Sequence, residues 1–249
     1  MIEHAPQRRE AITRLLTEQG QVSVSELAKQ WVVSEMTVRR DLEVLVAQGV
    51  AVRVHGGAVA AQSLRFGSRS SRDAKEKRTA ALKLADRLPE RGTVYLDGST
   101  TTNHLAEVLS AKPGLVVVTN TIDTFRAIQA ILGSQAVLVG GFLNADTDNI
   151  VGPYARRMLE TLTFNAAFFS TYALSVEAGP TEPSAEDAEI KHLVASRSET
   201  VHLAVNHQKL GAHAGASWTL PRARTVIATD LAPTDPSLAP YHALAATLI

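Results

Sequence analysis

From Lys75 onward the chain alternates short apolar runs with amphipathic stretches of about ten residues, and this alternation constrains the fold more than any other feature. Helices are expected over residues 80–88, 102–109, 122–132, 154–162 and 185–197, with strands over 93–96, 115–118, 136–139, 166–170 and 200–205. Such an order dictates an α/β fold with a mostly parallel sheet covered on both faces, because a parallel pair needs a crossover and the crossover lays a helix on the sheet. The tail after residue 212, with Trp218, Pro221 and a strand-like stretch at 225–229, either completes the sheet or forms an oligomer contact.

Open sheets of this kind bind ligands beyond the carboxyl ends of their strands. Polar and small residues collect there: Asp97, Gly98, Ser99, Thr100 and Thr101 after the first strand, Thr119 and Asn120 after the second, Gly140 and Gly141 after the third. A strand, a Gly/Ser/Thr turn and a helix bring free backbone amides and the positive end of a helix dipole to one point. A phosphate suits that point, whereas Asp97 repels phosphate and suits a sugar hydroxyl, so a phosphorylated sugar held at both ends is expected. Plain helix capping by Ser99 or Thr100 is the alternative. Lys191 and Lys209 are further candidates to neutralise a phosphate. His192, His202, His207 and His213 match no common ligand spacing, so no metal and no other cofactor are expected.

The first sixty residues follow another pattern. Residues 8–19 place Ile12, Leu15, Leu16 and Gln19 on one helical stripe, with Arg8, Arg9, Arg14 and Glu18 outside and Gly20 as the stop. Ser23 and Glu26 form a capping box for a short second helix carrying Leu27, Ala28 and Trp31. Ser34 caps a third helix over 35–48 whose apolar stripe is Val38, Leu42, Leu45 and Val46. Val50, Val52 and Val54 then alternate with polar and small residues up to a Gly56-Gly57 turn, which reads as a hairpin.

Two short helices with a tight turn, followed by a hairpin, form a winged helix-turn-helix, whose second helix enters the major groove. Burying the stripe leaves Met36, Thr37, Arg39 and Arg40 outward behind Ser34, chemistry that suits bases and phosphates of duplex DNA. Arg53 and His55 on the wing suit the sugar–phosphate backbone. An ordinary three-helix bundle, with Arg39 paired to Glu43, is the competing reading.

Charge supports a division of the chain. Residues 61–91 carry 9 basic and 4 acidic side chains, the opposite imbalance to the rest, and the early part of that stretch is rich in Ser, Arg and Lys. It reads as a linker, giving a DNA-binding domain at 1–60, a linker at 61–74 and a ligand-sensing domain at 75–249. With 249 residues, 45% hydrophobic, both parts can bury a core, which excludes a disordered or fibrous chain. The absence of cysteine excludes disulfides, thiolate metal sites and cysteine nucleophiles. No apolar run approaches the ~18 residues of a membrane span, and the opening residues lack a leader pattern, so a soluble cytoplasmic protein is expected.

The chain resembles the DeoR family of bacterial transcriptional regulators through Ser23-x-x-Glu26-Leu27-Ala28, Ser34-x-x-Thr37-Val38-Arg39-Arg40-Asp41-Leu42 and Arg53-x-His55-Gly56-Gly57-Ala58. The resemblance continues through Asp97-Gly98-Ser99-Thr100-Thr101, Thr119-Asn120, Gly140-Gly141 and Lys209-x-Gly211, and covers about residues 6–215. It implies a winged helix-turn-helix reading an operator and a sensor domain, similar in fold to ribose-5-phosphate isomerase and coenzyme A transferases, that binds phosphorylated sugars or related metabolites. A repressor of carbohydrate metabolism genes is what the resemblance implies; a homo-oligomer is expected because a single winged domain touches one half-site, and an enzyme is not expected because a DNA-binding unit is attached. Two stretches depart from the family: Ser170-Thr171-Tyr172-Ala173 stands in place of a Gly-Ala-Asp-Gly type stretch, and Asn206-His207-Gln208-Lys209 in place of Asp-x-Ser-Lys. Two other readings compete with it: a DNA-binding protein with a degenerate sensor, and a sugar-phosphate isomerase using Asp97 as general base with Lys209, and Glu182 or Glu186 as second group.

Overall fold

The computed structural model describes residues 4–54, 56–60, 70, 72–109, 114–131 and 135–249. They group into two compact units divided between Arg69 and Ser70. Most of the linker expected at 61–74 lies outside the described residues.

In the first unit, α1 (Ala5–Gln19) ends at Gly20, whose φ of 77° is the left-handed conformation that glycine adopts without strain. A strand β1 (Gln21–Ser23), not expected from the sequence, leads into α2 (Val24–Trp31), capped by Ser23, which accepts the Glu26 amide. Next come α3 (Glu35–Ala47), β2 (Ala51–Val54) and β3 (Gly57–Ala60). The three strands form one antiparallel sheet in the order β1-β3-β2. Val38, Leu42 and Leu45 enter the core with Ile12, Leu16 and Trp31, as the stripe requires. Val46 does not, and stands 37% exposed. Arg8, expected on the outside of α1, is buried because Asp41 of α3 is buried opposite it, with Nε and Oδ2 2.7 Å apart.

In the second unit, α4 (Ala74–Leu82) starts earlier than the apolar pattern suggests, because Lys75, Glu76, Lys77 and Arg78 are good helix formers and extend the helix toward the basic stretch. Then follow β4 (Arg91–Leu96), a 3₁₀ turn at Thr102–Leu105 running into a single turn α5 (Ala106–Leu109), β5 (Gly114–Thr119), α6 (Ile122–Gln129) and β6 (Gln135–Leu138). A short antiparallel pair, β7 (Phe142–Leu143) and β8 (Ile150–Val151), precedes α7 (Pro153–Glu160) and β9 (Phe164–Phe169). The chain continues through β10 (Ala173–Ser175), β11 (Gly179–Glu182), α8 (Ala185–Ser196), β12 (Ser198–Ala204), β13 (Ala216–Ser217), β14 (Thr225–Ala228) and β15 (Thr247–Leu248).

Seven strands make the main sheet, in the order β15-β14-β12-β9-β4-β5-β6 and parallel throughout. The tail therefore completes the sheet through β14 and β15. Period-two alternation splits the core: Tyr95 and Phe169 face one apolar cluster, whereas Val94, Leu96 and Phe168 face the other. An antiparallel sheet β10-β11-β13 stands apart from the main one, and Trp218, just beyond β13, packs on Phe169 with ring centroids 5.1 Å apart. Register aligns the carboxyl ends, since Leu96 pairs with Thr119 and with Phe168, and Thr119 pairs with Leu138. Asp97, Asn120 and Ser170 thus emerge at one level.

Candidate functional site

The first constellation is the outer face of α3. Ser34 caps the helix, its Oγ accepting the Thr37 amide at 3.1 Å and lying 2.8 Å from Thr37 Oγ1. Met36 is 57% exposed and Arg40 is exposed, while Thr37 and Arg39 are half-buried. Arg39 pairs with Glu35 at 3.2 Å, one turn back, and not with Glu43. Arg53 of β2 donates Nη1 to the Arg39 carbonyl at 3.4 Å, so the wing is tied to this helix through a side chain expected to face a backbone phosphate. His55 lies outside the described residues. The α2–α3 turn passes through Val32, a β-branched residue at φ 56° and 78% exposed.

The second constellation lies at the carboxyl ends of β4, β5, β9 and β12. Asp97 is 1% exposed, and both carboxylate oxygens are engaged. Oδ1 accepts the Ser99 amide at 3.1 Å and the Thr102 hydroxyl, and Oδ2 accepts the Ser170 amide at 2.9 Å. Asp97, which the sequence set at the mouth of a pocket, is buried here, fixes the 98–102 turn and clasps β4 to β9. The same engagement leaves it unsuited to act as a general base. Ser99 and Thr102 share a 2.8 Å hydroxyl contact, and the Thr102 amide donates to Ser99 Oγ, so Ser99 caps the following turn. Gly98 admits no side chain, because a Cβ there would collide with the Asn149 amide oxygen and crowd Thr121.

Lys191 of α8 is 7% exposed and committed to carboxylates. Its Nζ lies 2.5 Å from Glu182 and 3.3 Å from Asp97, and donates to the Ser170 carbonyl at 2.8 Å. Burial alone would lower its pKa, but Glu182 and Asp97 more than reverse this and hold the ammonium above its ordinary value. Burial raises Glu182 in spite of Lys191. In the fold Lys191 is the counter-ion of Glu182 and Asp97. Lys209 donates to Ser170 Oγ at 3.0 Å and to the Thr171 carbonyl at 2.7 Å. The stretch that departs from the family pattern is thus the hub joining Asp97, Lys191 and Lys209.

The Asn120 side chain donates to the Ile150 carbonyl at 3.2 Å, and the Ile150 amide returns a bond to the Asn120 carbonyl at 2.7 Å, folding the 144–151 loop over β5. Gly141 packs where a Cβ would meet the Val151 carbonyl at 2.7 Å; Gly140 has open space around it. Several buried polar atoms at this end have no partner among the described residues: Thr101 Oγ1, Thr119 Oγ1, Asn120 Oδ1, Asn149 Oδ1, Asp187 Oδ2 and Asn206 Oδ1. Asn149 and Asp187 carry no signal in the sequence, since one sits in an irregular loop and the other looks like an ordinary first-turn acid behind the Ser184 cap. Glu186, considered as a second acid, bonds the Ser184 hydroxyl at 2.9 Å. Among the described residues no group of three or more His, Asp or Glu is placed to hold a metal, and no helix is long and apolar enough to cross a membrane.

A winged helix-turn-helix in one chain with a parallel α/β unit, polar at its strand ends, defines a DNA-binding regulator with a ligand-sensing part. Residues 8–64 match the DeoR-like helix-turn-helix domain and residues 72–230 the DeoR C terminal sensor domain, so the chain belongs to the DeoR family of DNA-binding transcriptional regulators, not of enzymes. It is 29% identical over 231 residues to the uncharacterized HTH-type transcriptional regulator FruR of Bacillus subtilis, covering 90% of this chain and 91% of that one. It is 31% identical over 209 residues to the HTH-type transcriptional regulator GlpR of Haloferax volcanii, covering 82% of each. It is also 30% identical over 231 residues to the lactose phosphotransferase system repressor of Streptococcus mutans, covering 90% and 91%. Ribose 5-phosphate isomerase A from Neisseria gonorrhoeae superposes with a TM-score of 0.38 over 55% of this chain and 53% of its own, at 14% identity; a likeness of that size supports no argument.

Proposed function

We propose that the protein is a cytoplasmic repressor of carbohydrate metabolism genes whose operator affinity is lowered by a phosphorylated sugar bound at the carboxyl ends of β4, β5, β9 and β12. The observation that carries the ligand half is the set of buried polar atoms at that end without partners among the described residues, because leaving such atoms unsatisfied costs ~1–3 kcal/mol each and an occupant removes the cost. The Thr100 and Thr101 amides and Lys209 are assigned to the phosphate, and Thr119 and Asn120 to the sugar. Ser34, Met36, Thr37, Arg39, Arg40 and Arg53 are assigned to the operator, with His55 kept on sequence grounds. Residues 1–60 are the DNA-binding domain, 61–74 the linker and 75–249 the sensor. A homo-oligomer is proposed because one winged unit covers one half-site, and an oligomer lets several sensors act together.

The test is melting of the full chain against singly phosphorylated sugars, followed by operator binding with any hit. One compound should raise the melting temperature by several degrees and weaken DNA binding, and Thr119→Val should reduce both effects. Salt-sensitive DNA binding with no response to any phosphorylated sugar would replace this reading by that of a degenerate sensor.

A further inference from the structure

Among the described residues of the α/β unit, Ile122, Phe142, Leu143 and Tyr154 are the large apolar side chains left in solvent. Phe142 and Leu143 of β7 and Tyr154 in the first turn of α7 stand 58%, 56% and 67% exposed. The Phe142 and Tyr154 rings pack with centroids 5.6 Å apart, and Phe142 also lies against Gly152, where a Cβ would come within 3.0 Å of the ring. The aromatic pair is therefore fixed in place, not loose, while its outer side meets water. Neighbouring residues of a strand point to opposite faces, so Phe142 and Leu143 leave both faces of the β7–β8 ribbon apolar. A gathered apolar surface of this kind marks a contact site.

Hydrogen bonding along the ribbon shows what the contact is made for. Among the described residues β7 pairs with β8 alone, so its other edge is open. The Asn144 amide donates to the Asn149 carbonyl at 2.8 Å, and antiparallel alternation then makes the next pair, Leu143 opposite Ile150, a non-bonded one. Ile150 accordingly turns its amide and carbonyl away from β7, to the Asn120 carbonyl at 2.7 Å and the Asn120 side chain at 3.2 Å. Leu143 turns its amide and carbonyl the opposite way, to the open edge. One donor and one acceptor on the same residue are matched by that residue in a second strand running antiparallel, because a two-fold axis makes the pair reciprocal. Charge points to the same occupant. Arg157 is exposed on the side of α7 that carries Tyr154, three residues back, and Asp146 lies in the loop at the tip of the ribbon. Arg156 is taken up by Glu160 and Glu189, whereas Arg157 and Asp146 form no ion pair among the described residues. An antiparallel copy brings the tip of one ribbon alongside the α7 end of the other, setting Asp146 against Arg157 on both sides of the axis.

We propose that the β7–β8 ribbon and the first turn of α7 form a two-fold contact between two copies of this chain, with β7 paired to β7 about Leu143, Phe142 and Tyr154 covered at the centre, and Asp146–Arg157 pairs at the rim. This rests on the homo-oligomer reading above and locates its interface. Pairing strand to strand satisfies the open edge, and the apolar side chains on both faces of the ribbon supply the burial that a short pairing needs. Through Ile150 and Asn120 the ribbon is hydrogen-bonded to the carboxyl end of β5, so the contact is joined directly to the polar end of the sheet.

The test is sedimentation equilibrium of the full chain over a range of concentrations. The native chain is expected to self-associate, and Leu143→Lys, which sets a charge on the open edge, is expected to raise the dissociation constant by about tenfold or more. Leu143 is at the surface, so the variant should fold, which circular dichroism checks. Asp146→Arg and Arg157→Asp, each of which places like charges together on both sides of the axis, are expected to weaken association by about fivefold singly. Combined in one chain they are expected to restore it to near the native value, a rescue that a folding defect would not show. A dissociation constant that Leu143→Lys leaves unchanged, or a double variant no tighter than the single ones, overturns the interface, leaves the homo-oligomer reading intact and gives the apolar surface to a different partner. A native chain that stays monomeric at every concentration overturns both.

Discussion

The outer face of α3 and the carboxyl end of the sheet are both polar, but water reaches one and not the other. On α3 the cap at Ser34, exposed Met36 and Arg40, and the pair Arg39–Glu35 sit at the surface, where each group keeps its hydration and a pair is worth little. At the sheet end Asp97, Glu182, Asp187 and Lys191 are buried together, so each side chain constrains the others. The lesson is that a surface motif states what its residues face, whereas in a buried cluster a residue's role is decided by partners far away in sequence.

The sharpest way to break this comparison is to remove one charge from each side. Lys191→Met leaves Glu182 and Asp97 buried without their ammonium, and is expected to destabilise the α/β unit by about 3–5 kcal/mol in chemical denaturation. Arg40→Ala should change stability by less than about 0.5 kcal/mol. A loss below about 1 kcal/mol for Lys191→Met would show that the cluster is not held by charge.

Next in size is a pH effect. His202, stacked on Phe168 at 4.7 Å, has its pKa lowered to about 4 by burial and then by Arg87. The unfolded chain therefore takes up this proton first. The contribution is complete above the ordinary value of 6.5 and is lost as pH falls toward about 4, amounting to about 3 kcal/mol. Urea midpoints measured between pH 7.5 and 4.5 should fall accordingly, and His202→Phe should flatten that slope; equal slopes would remove His202 as the cause.

On the exposed face the effects belong to binding. Arg40→Ala is expected to weaken operator binding by about 1–2 kcal/mol and to reduce the salt slope by about 1 if the guanidinium meets a phosphate. Loss of affinity with an unchanged slope would transfer Arg40 to a base contact. Smallest is Ser34→Ala, which removes the cap on the Thr37 amide and should cost about 1 kcal/mol of stability, read from the melting of the full chain. No change would mean that water replaces the Ser34 hydroxyl.

Local rules made much of the fold legible. Ser23 and Ser34 as caps, Gly20 as a stop and the strand–helix alternation after residue 75 depend on neighbours within a few positions, and the structure has them there. What escaped depends on distant partners. Arg8 belongs on the outside of α1 by periodicity, but Asp41, 33 residues on, draws it into the core. The small antiparallel strands β10, β11 and β13 are short and rich in Ser, Thr, Gly and Pro, so no alternation of apolar residues announces them. Asp97 was visible as a polar residue at a strand end, yet its role follows from the Ser170 amide, 73 residues away, and from Lys191. Asn149 and Asp187 meet only after the 144–151 loop has folded over β5, which no spacing in the sequence encodes.

The central claim is that ligand at the carboxyl end of the sheet sets DNA affinity. It is tested most directly by titrating the full chain onto a duplex selected from a random pool, with and without the singly phosphorylated sugar that most raises its melting temperature, for the native sequence and for Thr119→Val. The account expects the sugar to weaken binding at least tenfold in the native protein and markedly less in the variant. Binding of the duplex that is the same with and without the sugar, in a protein that the sugar demonstrably stabilises, would contradict it.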